Sequence, residues 1–181
     1  YCVDWYFEND PGHLEEIDGG RLKLPYEEKR TILSACLYGV DIDPQAVEVT
    51  KLSLLIKLIE DEATPSVEGS VPMLPNIDSN VQLGNSLVQL DDIPSGTSSL
   101  DIERMVPFDW GSINGGLTFD AVVGNPPYVK TEDMHALLPE VEFSIYKRKY
   151  ETAYKQFDKY YLFIEKGISL VRPGGYVCYI V

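Results

Sequence analysis

Phe119-Asp-Ala-Val-Val-Gly-Asn-Pro-Pro-Tyr128 is the stretch on which the fold turns. Residues 119–123 carry the aromatic and β-branched content of a strand. That strand runs directly into Gly124-Asn-Pro-Pro-Tyr128, where two prolines fix φ and hold the backbone carbonyls rigidly. A rigid polar corner at the end of a buried strand is the feature around which the other elements are placed.

Upstream, Leu37-Tyr-Gly-Val-Asp-Ile-Asp43 reads as a short buried strand ending in acids. Asp43 can cap the helix that follows, with Pro44 in its first turn. Val49, Leu52, Ile56 and Ile59 recur at helical spacing and predict that this helix buries that face. Pro25-Tyr-Glu-Glu28 opens an earlier helix with acids in its first turn, and Tyr26, Leu33 and Leu37 give it an apolar stripe. Residues 64–80 hold prolines among Ser and Asp and read as a loop. Val81-Gln-Leu-Gly-Asn85 is a candidate strand, and residues 91–116 read as irregular. Downstream of Tyr128 lies a mixed polar stretch. Phe157, Tyr161, Ile164, Ile168 and Val171 then mark an amphipathic helix stopped by Pro173-Gly-Gly175. Residues 176–181 form a last strand.

Strand, helix, strand, strand, helix, strand is the rhythm of an α/β protein with an open, mostly parallel sheet. Ligands in such sheets sit beyond the carboxyl ends of the strands. Three predicted strands end there in polar residues: Asp41 and Asp43, Asn85, and Asn125.

The bulk composition narrows the function classes. The chain has 181 residues, 44% hydrophobic and 24% charged, which suits one globular domain. No apolar run is long enough to cross a bilayer, and residues 1–10 lack a signal-peptide pattern. Three cysteines without Cys-x-x-Cys spacing predict neither a disulfide framework nor a metal site, and fit a reducing cytoplasm. The net charge of −14 argues on its face against a nucleic-acid partner, but it is unevenly spread. Residues 130–181 hold eight Lys and Arg against seven Asp and Glu. The cluster Lys147, Arg148 and Lys149, followed by Lys155 and Lys159, is a candidate for DNA phosphates; a solvated loop is the alternative.

The corner at Asn125 suits one kind of chemistry. An exocyclic purine amine is a poor nucleophile, because its lone pair is delocalised into the ring. Two acceptors on its two N–H bonds, the Asn125 side-chain oxygen and the Pro126 carbonyl, would hold the nitrogen towards tetrahedral geometry. The lone pair then points at an incoming methyl group, and proline holds the backbone carbonyls rigidly in advance. Tyr128 offers a flat face for an extruded base, worth about 1–3 kcal/mol. That offsets part of the cost of flipping a base from a duplex.

Asn125-Pro-Pro-Tyr128, Tyr38-Gly-Val-Asp-Ile-Asp-Pro44 and Leu83-Gly-Asn-Ser-Leu87 resemble, in order, motifs of the adenine-N6 DNA methyltransferases. Gln156-Phe-Asp-Lys-Tyr-Tyr161 and Arg172-Pro-Gly-Gly-Tyr176 look like later motifs of that family. Residues 39–51 are especially similar to the type IIG restriction–modification group, in which a nuclease is fused to the methylase. The resemblance implies a Rossmann-like fold that binds S-adenosylmethionine and acts on double-stranded DNA. It implies that Asp41 binds the cofactor's ribose hydroxyls, that Ile42 lies beside its adenine, and that Asn85 faces the adenine amine. Asn125, Pro126 and Tyr128 would be catalytic. It further implies a partial catalytic domain: residues 1–7 as the tail of a first helix, 8–24 as an insertion, then strand-and-helix segments at 37–59, 81–87, 119–128 and 157–181.

The glycine-rich cofactor loop and the first strand of the family sheet are expected before Tyr1, and later strands, a second base-stacking aromatic and a recognition domain past Val181. These residues alone are therefore expected to bind cofactor weakly and to lack catalysis. Glu27-Glu-Lys29 has the spacing of a nuclease site but opens a predicted helix without a partnering acid, so any endonuclease is expected elsewhere on the full-length chain. Two readings compete: an amine methylase acting on a protein glutamine, with the same tetrapeptide, and a non-catalytic specificity or scaffold subunit with a decayed methyltransferase fold.

Overall fold

A computed structural model describes residues 2–17, 19–60, 74–116 and 118–181. In chain order the regular elements are α1 (Cys2–Asn9), β1 (Glu15–Ile17), β2 (Arg21–Lys23), α2 (Tyr26–Cys36), β3 (Gly39–Asp41), α3 (Pro44–Ile59) and β4 (Val81–Leu83). They continue with α4 (Ser99–Met105), β5 (Phe119–Gly124), α5 (Thr131–Leu137), α6 (Glu140–Lys149), α7 (Lys159–Leu170) and β6 (Val171–Tyr179). The chain divides into two compact units, one of Tyr1–Gly39 with Gln45–Gln82, the other of Val40–Pro44 with Leu83–Val181.

In the first unit, β1 and β2 form a short antiparallel hairpin, and Leu33, Leu58 and Ile77 make a small core. Asn80 ties the end of α2 down: its amide donates to the carbonyls of Ser34 and Leu37, both at 2.9 Å. This buried side chain satisfies carbonyls that a helix end would otherwise leave without partners.

The second unit carries the larger core, in which Leu87, Met105, Met134, Ile145, Tyr146 and Leu162 are fully buried. β5 and β6 run parallel, in register from Ala121 opposite Tyr176 to Gly124 opposite Tyr179. α7 supplies the connection into β6, as a parallel pair requires a crossover somewhere between its strands. The register shifts between Phe119 and Ala121, beside the Pro173-Gly174-Gly175 run, where Gly174 has φ +81°. Gly124 is demanded by closeness: a Cβ there would lie 2.9 Å from the Tyr179 ring.

The α/β class holds, with one departure. The described strands form three two-stranded sheets, β1–β2, β3–β4 and β5–β6, where one open sheet was expected. Among the described residues β3 and β5 each pair on one side only, so no common neighbour joins them.

Several boundaries also move. The helix expected to end at Pro173 stops at Leu170, and the proline and glycines lie within β6. Phe157 precedes α7, while Tyr161 and Ile168 of its expected buried stripe are exposed. Residues 91–116 contain α4, capped by Ser98, whose hydroxyl accepts from the Asp101 N–H at 3.1 Å. The stretch read as mixed polar contains α5 and α6. On α3 the predicted stripe faces outward: Val49, Leu52, Ile56 and Ile59 are exposed, and Val47 and Leu58 are the buried residues. The loop predicted over 64–80 lies partly outside the described residues; its remainder, 74–80, is irregular.

Candidate active site

β5 ends at Gly124, and the Ile180 N–H donates to the Gly124 carbonyl at 3.1 Å, so the last strand residue is held from the β6 side. Asn125 follows immediately. It is exposed, and no hydrogen bond engages its side chain among the described residues. Pro126 is buried and anchors the corner, while Pro127 and Tyr128 are exposed. The Asn125 amide is thus not engaged by the backbone among the described residues, and the buried residue at this corner is Pro126.

The chain after Tyr128 folds back on the segment before α7. The Lys159 N–H donates to the Val129 carbonyl at 2.8 Å, and Lys130 and Asp158 form an isolated antiparallel bridge. Thr131 and Phe157 exchange hydrogen bonds: the Phe157 N–H donates to the Thr131 hydroxyl, which donates to the Phe157 carbonyl, both at 2.7 Å. These bonds bring Tyr160 against Tyr128, with ring centroids 5.8 Å apart. Tyr160 packs in turn on Tyr161, and the hydrogen bond its hydroxyl donates to that neighbour is the main cause pushing its phenol up to about 12.

Asp41 ends β3. One oxygen of its exposed carboxylate accepts from the Asp43 N–H at 2.8 Å, and among the described residues the other has no partner. The Asp41 carbonyl accepts from Gly84 at 2.8 Å, which brings the Asp41-Ile42 end beside the Gly84-Asn85 turn. Asp41, Ile42 and Asn85 are thus neighbours, and no hydrogen bond among the described residues links them to Asn125.

Asn85 is not presented to solvent as expected. It is 3% exposed, its side-chain oxygen accepts from the Leu87 N–H at 3.0 Å, and its amide donates to Glu142 at 3.1 Å. The same Glu142 oxygen accepts from the Tyr146 hydroxyl at 2.5 Å and lies 3.9 Å from the Lys159 ammonium. Burial, reinforced by the Glu142 charge, holds the Tyr146 phenol well above its ordinary value. Burial lowers Lys159, with Glu142 opposing that shift.

Residues 35–181 match the Eco57I restriction-modification methylase family. The chain belongs to that family. It is 44% identical over 179 residues to the type II restriction enzyme and methyltransferase RM.Eco57I of Escherichia coli, an alignment covering 99% of this chain. The chain spans only 17% of that protein's length. It is also 49% identical over 63 residues to the putative type II restriction enzyme and methyltransferase RM.MjaORFECS2P of Methanocaldococcus jannaschii, covering 35% of this chain and 5% of that protein. Against the type II methyltransferase M.XhoI of Xanthomonas vasicola it is 43% identical over 58 residues, 32% of this chain and 10% of that one.

In this Eco57I-family chain the cationic cluster of α6 has internal partners. The Lys147 ammonium donates to the carbonyls of Ala153 and Lys155 at 2.9 and 3.0 Å and lies over the Phe157 ring. Arg148 donates to the Asp92 carbonyl, and Lys149 pairs with the Asp92 carboxylate and the Leu87 carbonyl. Three cations in the last turn of a helix also suit the negative end of its dipole. No group of three or more His, Cys, Asp or Glu is placed to hold a metal among the described residues, and no described helix is long and apolar enough to cross a membrane.

Sequence reasoning did not single out Tyr160 or Glu142, and took Lys159 only as a follower of the basic cluster. Tyr160 and Lys159 stood within a quoted motif, but their roles depend on the fold-back at Val129. Glu142 sits among charged residues, and its burial follows only from its partners on other elements.

Proposed function

We propose that the protein is a DNA adenine-N6 methyltransferase of a type II restriction–modification system. The observation that carries this is the exposed, unengaged side chain of Asn125 at the end of β5, followed by the Tyr128–Tyr160 aromatic face. In this reading the Asn125 oxygen and the Pro126 carbonyl accept from the target amine, and Tyr128 stacks on the extruded base. Proline sets the backbone acceptor before the base arrives, so that part of the site needs little reorganisation during transfer.

Asp41 and Ile42 fit an adenosyl cofactor. The unpartnered Asp41 oxygen suits a ribose diol, by the logic of ribose recognition in dinucleotide folds. S-adenosylmethionine supplies, when bound, a methyl group on a positively charged sulfur. The one-sided pairing of β3 and β5 supports an open Rossmann-like sheet completed by another strand of the protein. The target-recognition and endonuclease parts belong to other regions of the full-length chain, in keeping with the small share of the Escherichia coli relative that this chain spans.

The test is transfer of tritium from labelled cofactor by the full-length protein into duplex DNA, followed by nucleoside analysis. Label in N6-methyladenine supports the reading, whereas label in protein glutamine or none overturns it. Asn125→Ala is expected to cut transfer at least about a hundredfold and to leave DNA affinity largely unchanged. Loss of DNA binding instead would contradict the role given to Asn125.

A further inference from the structure

Glu142 presents an unusual imbalance. Its carboxylate is 3% exposed, and the Asn85 amide, the Tyr146 hydroxyl and the Lys159 ammonium all approach one oxygen, Oε1. Among the described residues no donor reaches Oε2. The Lys159 side chain is partly buried; its ammonium, 3.9 Å from Oε1 and 5.5 Å from the centroid of the Tyr146 ring, makes no close hydrogen bond there. A buried carboxylate oxygen without a donor is costly, and an ammonium held, among the described residues, by a long ion pair and a ring face still has hydrogen bonds to give; such groups in native proteins are ordinarily satisfied by a ligand or a water.

Both groups line one cavity of about 440 Å³ within the second unit. Ile42, Leu137, Leu138 and Pro139 give it apolar walls, and Arg104 lines it as well. Apolar walls beside a carboxylate acceptor and cationic donors suit a flat heteroaromatic ring that presents a donor beside an acceptor. The edge of a 6-aminopurine does this, since its amine donates and the adjacent ring nitrogen accepts. Ile42 follows Asp41 directly, whereas Asn125 and Tyr128 do not line the cavity. That favours the cofactor's adenine over the target base as occupant.

We propose that Glu142 and Lys159 read the amine and ring-nitrogen edge of the cofactor's adenine in this cavity, Glu142 accepting from the amine and Lys159 donating to the ring nitrogen. The proposal rests on the cofactor reading above. Asn85 then contributes by holding Glu142, and the cofactor specificity lies one residue further out than the sequence implied.

The test uses calorimetry on the full-length protein with two unreactive ligands, S-adenosylhomocysteine and its 6-oxo counterpart, S-inosylhomocysteine. The wild type is expected to prefer the amino ligand by about 10- to 100-fold. Glu142→Gln offers an amide N–H to the 6-oxo group, so that preference should shrink about tenfold or invert. Lys159→Met should weaken S-adenosylhomocysteine by about tenfold. An equal loss for both ligands in Glu142→Gln would make Glu142 purely structural and overturn the proposal, as would no change. If the wild type binds neither ligand, the cofactor reading itself fails, and this proposal fails with it. A parallel arm compares duplexes with adenine or hypoxanthine at the target position. Should Glu142→Gln alter that preference instead, the cavity takes the extruded base and the assignment to cofactor is overturned.

Discussion

Tyr128 and Tyr160 face each other with ring centroids 5.8 Å apart and planes tilted by 49°, although 32 positions separate them in sequence. The exchange of hydrogen bonds between Thr131 and Phe157 sets this pairing, so the aromatic face beside Asn125 is built by two chain segments.

Tyr128→Ala in the full-length protein is expected to weaken capture of an extruded base by about 1–3 kcal/mol, and Tyr160→Ala by less, since Tyr160 acts by backing Tyr128. With 2-aminopurine at the target position, both variants should give a smaller fluorescence rise on binding. A larger loss at Tyr160 than at Tyr128 would mean that the base stacks on α7 itself.

The corner at Asn125 also depends on closeness behind it. Gly124→Ala puts a methyl group 2.9 Å from the Tyr179 ring, and overpacking of this kind costs about 1–3 kcal/mol. The ring can be removed in turn, so Gly124→Ala combined with Tyr179→Val should recover part of the loss, a non-additivity expected of touching residues. Urea midpoints of the two single variants and the double variant measure it; strict additivity would show that strain at Gly124 has another source.

What the sequence disclosed and what it withheld divide along physical lines. The strand at 119–124 and its proline corner were legible because composition and proline geometry act locally. The helix at 44–59 was legible in extent, but Val49, Leu52, Ile56 and Ile59 are exposed while Val47 and Leu58 are buried. Periodicity reports that a helix has an apolar face; what covers that face is a tertiary fact. α4 carried a readable signal in Ser98 and Asp101, a side-chain cap followed by an acid in the first turn. Asn85, expected at the end of a strand, lies two residues past β4, and its side chain turns inward to Glu142, a partner 57 residues away.

In the first unit, Lys51 pairs with Asp78 at 2.9 Å. That hydrogen bond lowers the Asp78 carboxyl and raises the Lys51 ammonium from their ordinary values. For Asp78, the stabilisation is complete above the unfolded value near about 4 and is lost as pH falls through the lower folded value. For Lys51, it is complete below about 10.4 and is lost as pH rises through the higher folded value. Asp78→Asn should therefore lower the urea midpoint by a constant amount near neutrality, and the gap to wild type should close at both extremes. A gap independent of pH would assign the effect to packing rather than to the ion pair. Both groups stand in contact with water, so added salt should narrow it as well.

The cations of α6 offer a sharper test of how this protein meets DNA. Each phosphate contact made by a lysine or arginine contributes close to one counterion, so removing it reduces the slope of log affinity against log salt by about 1. Lys149 is held by Asp92 and Leu87, and the exposed Arg148 donates to the Asp92 carbonyl, so both groups already have partners within the chain. Arg148→Ala and Lys149→Ala in the full-length protein should leave that slope unchanged. Lys149→Ala should instead lower thermal stability, because it strips a partner from the carbonyl of fully buried Leu87, which among the described residues then keeps the Tyr150 hydroxyl at 2.7 Å. A slope reduced by one for either variant would show that these side chains exchange their internal partners for DNA, and the basic cluster would regain the phosphate role its sequence suggests.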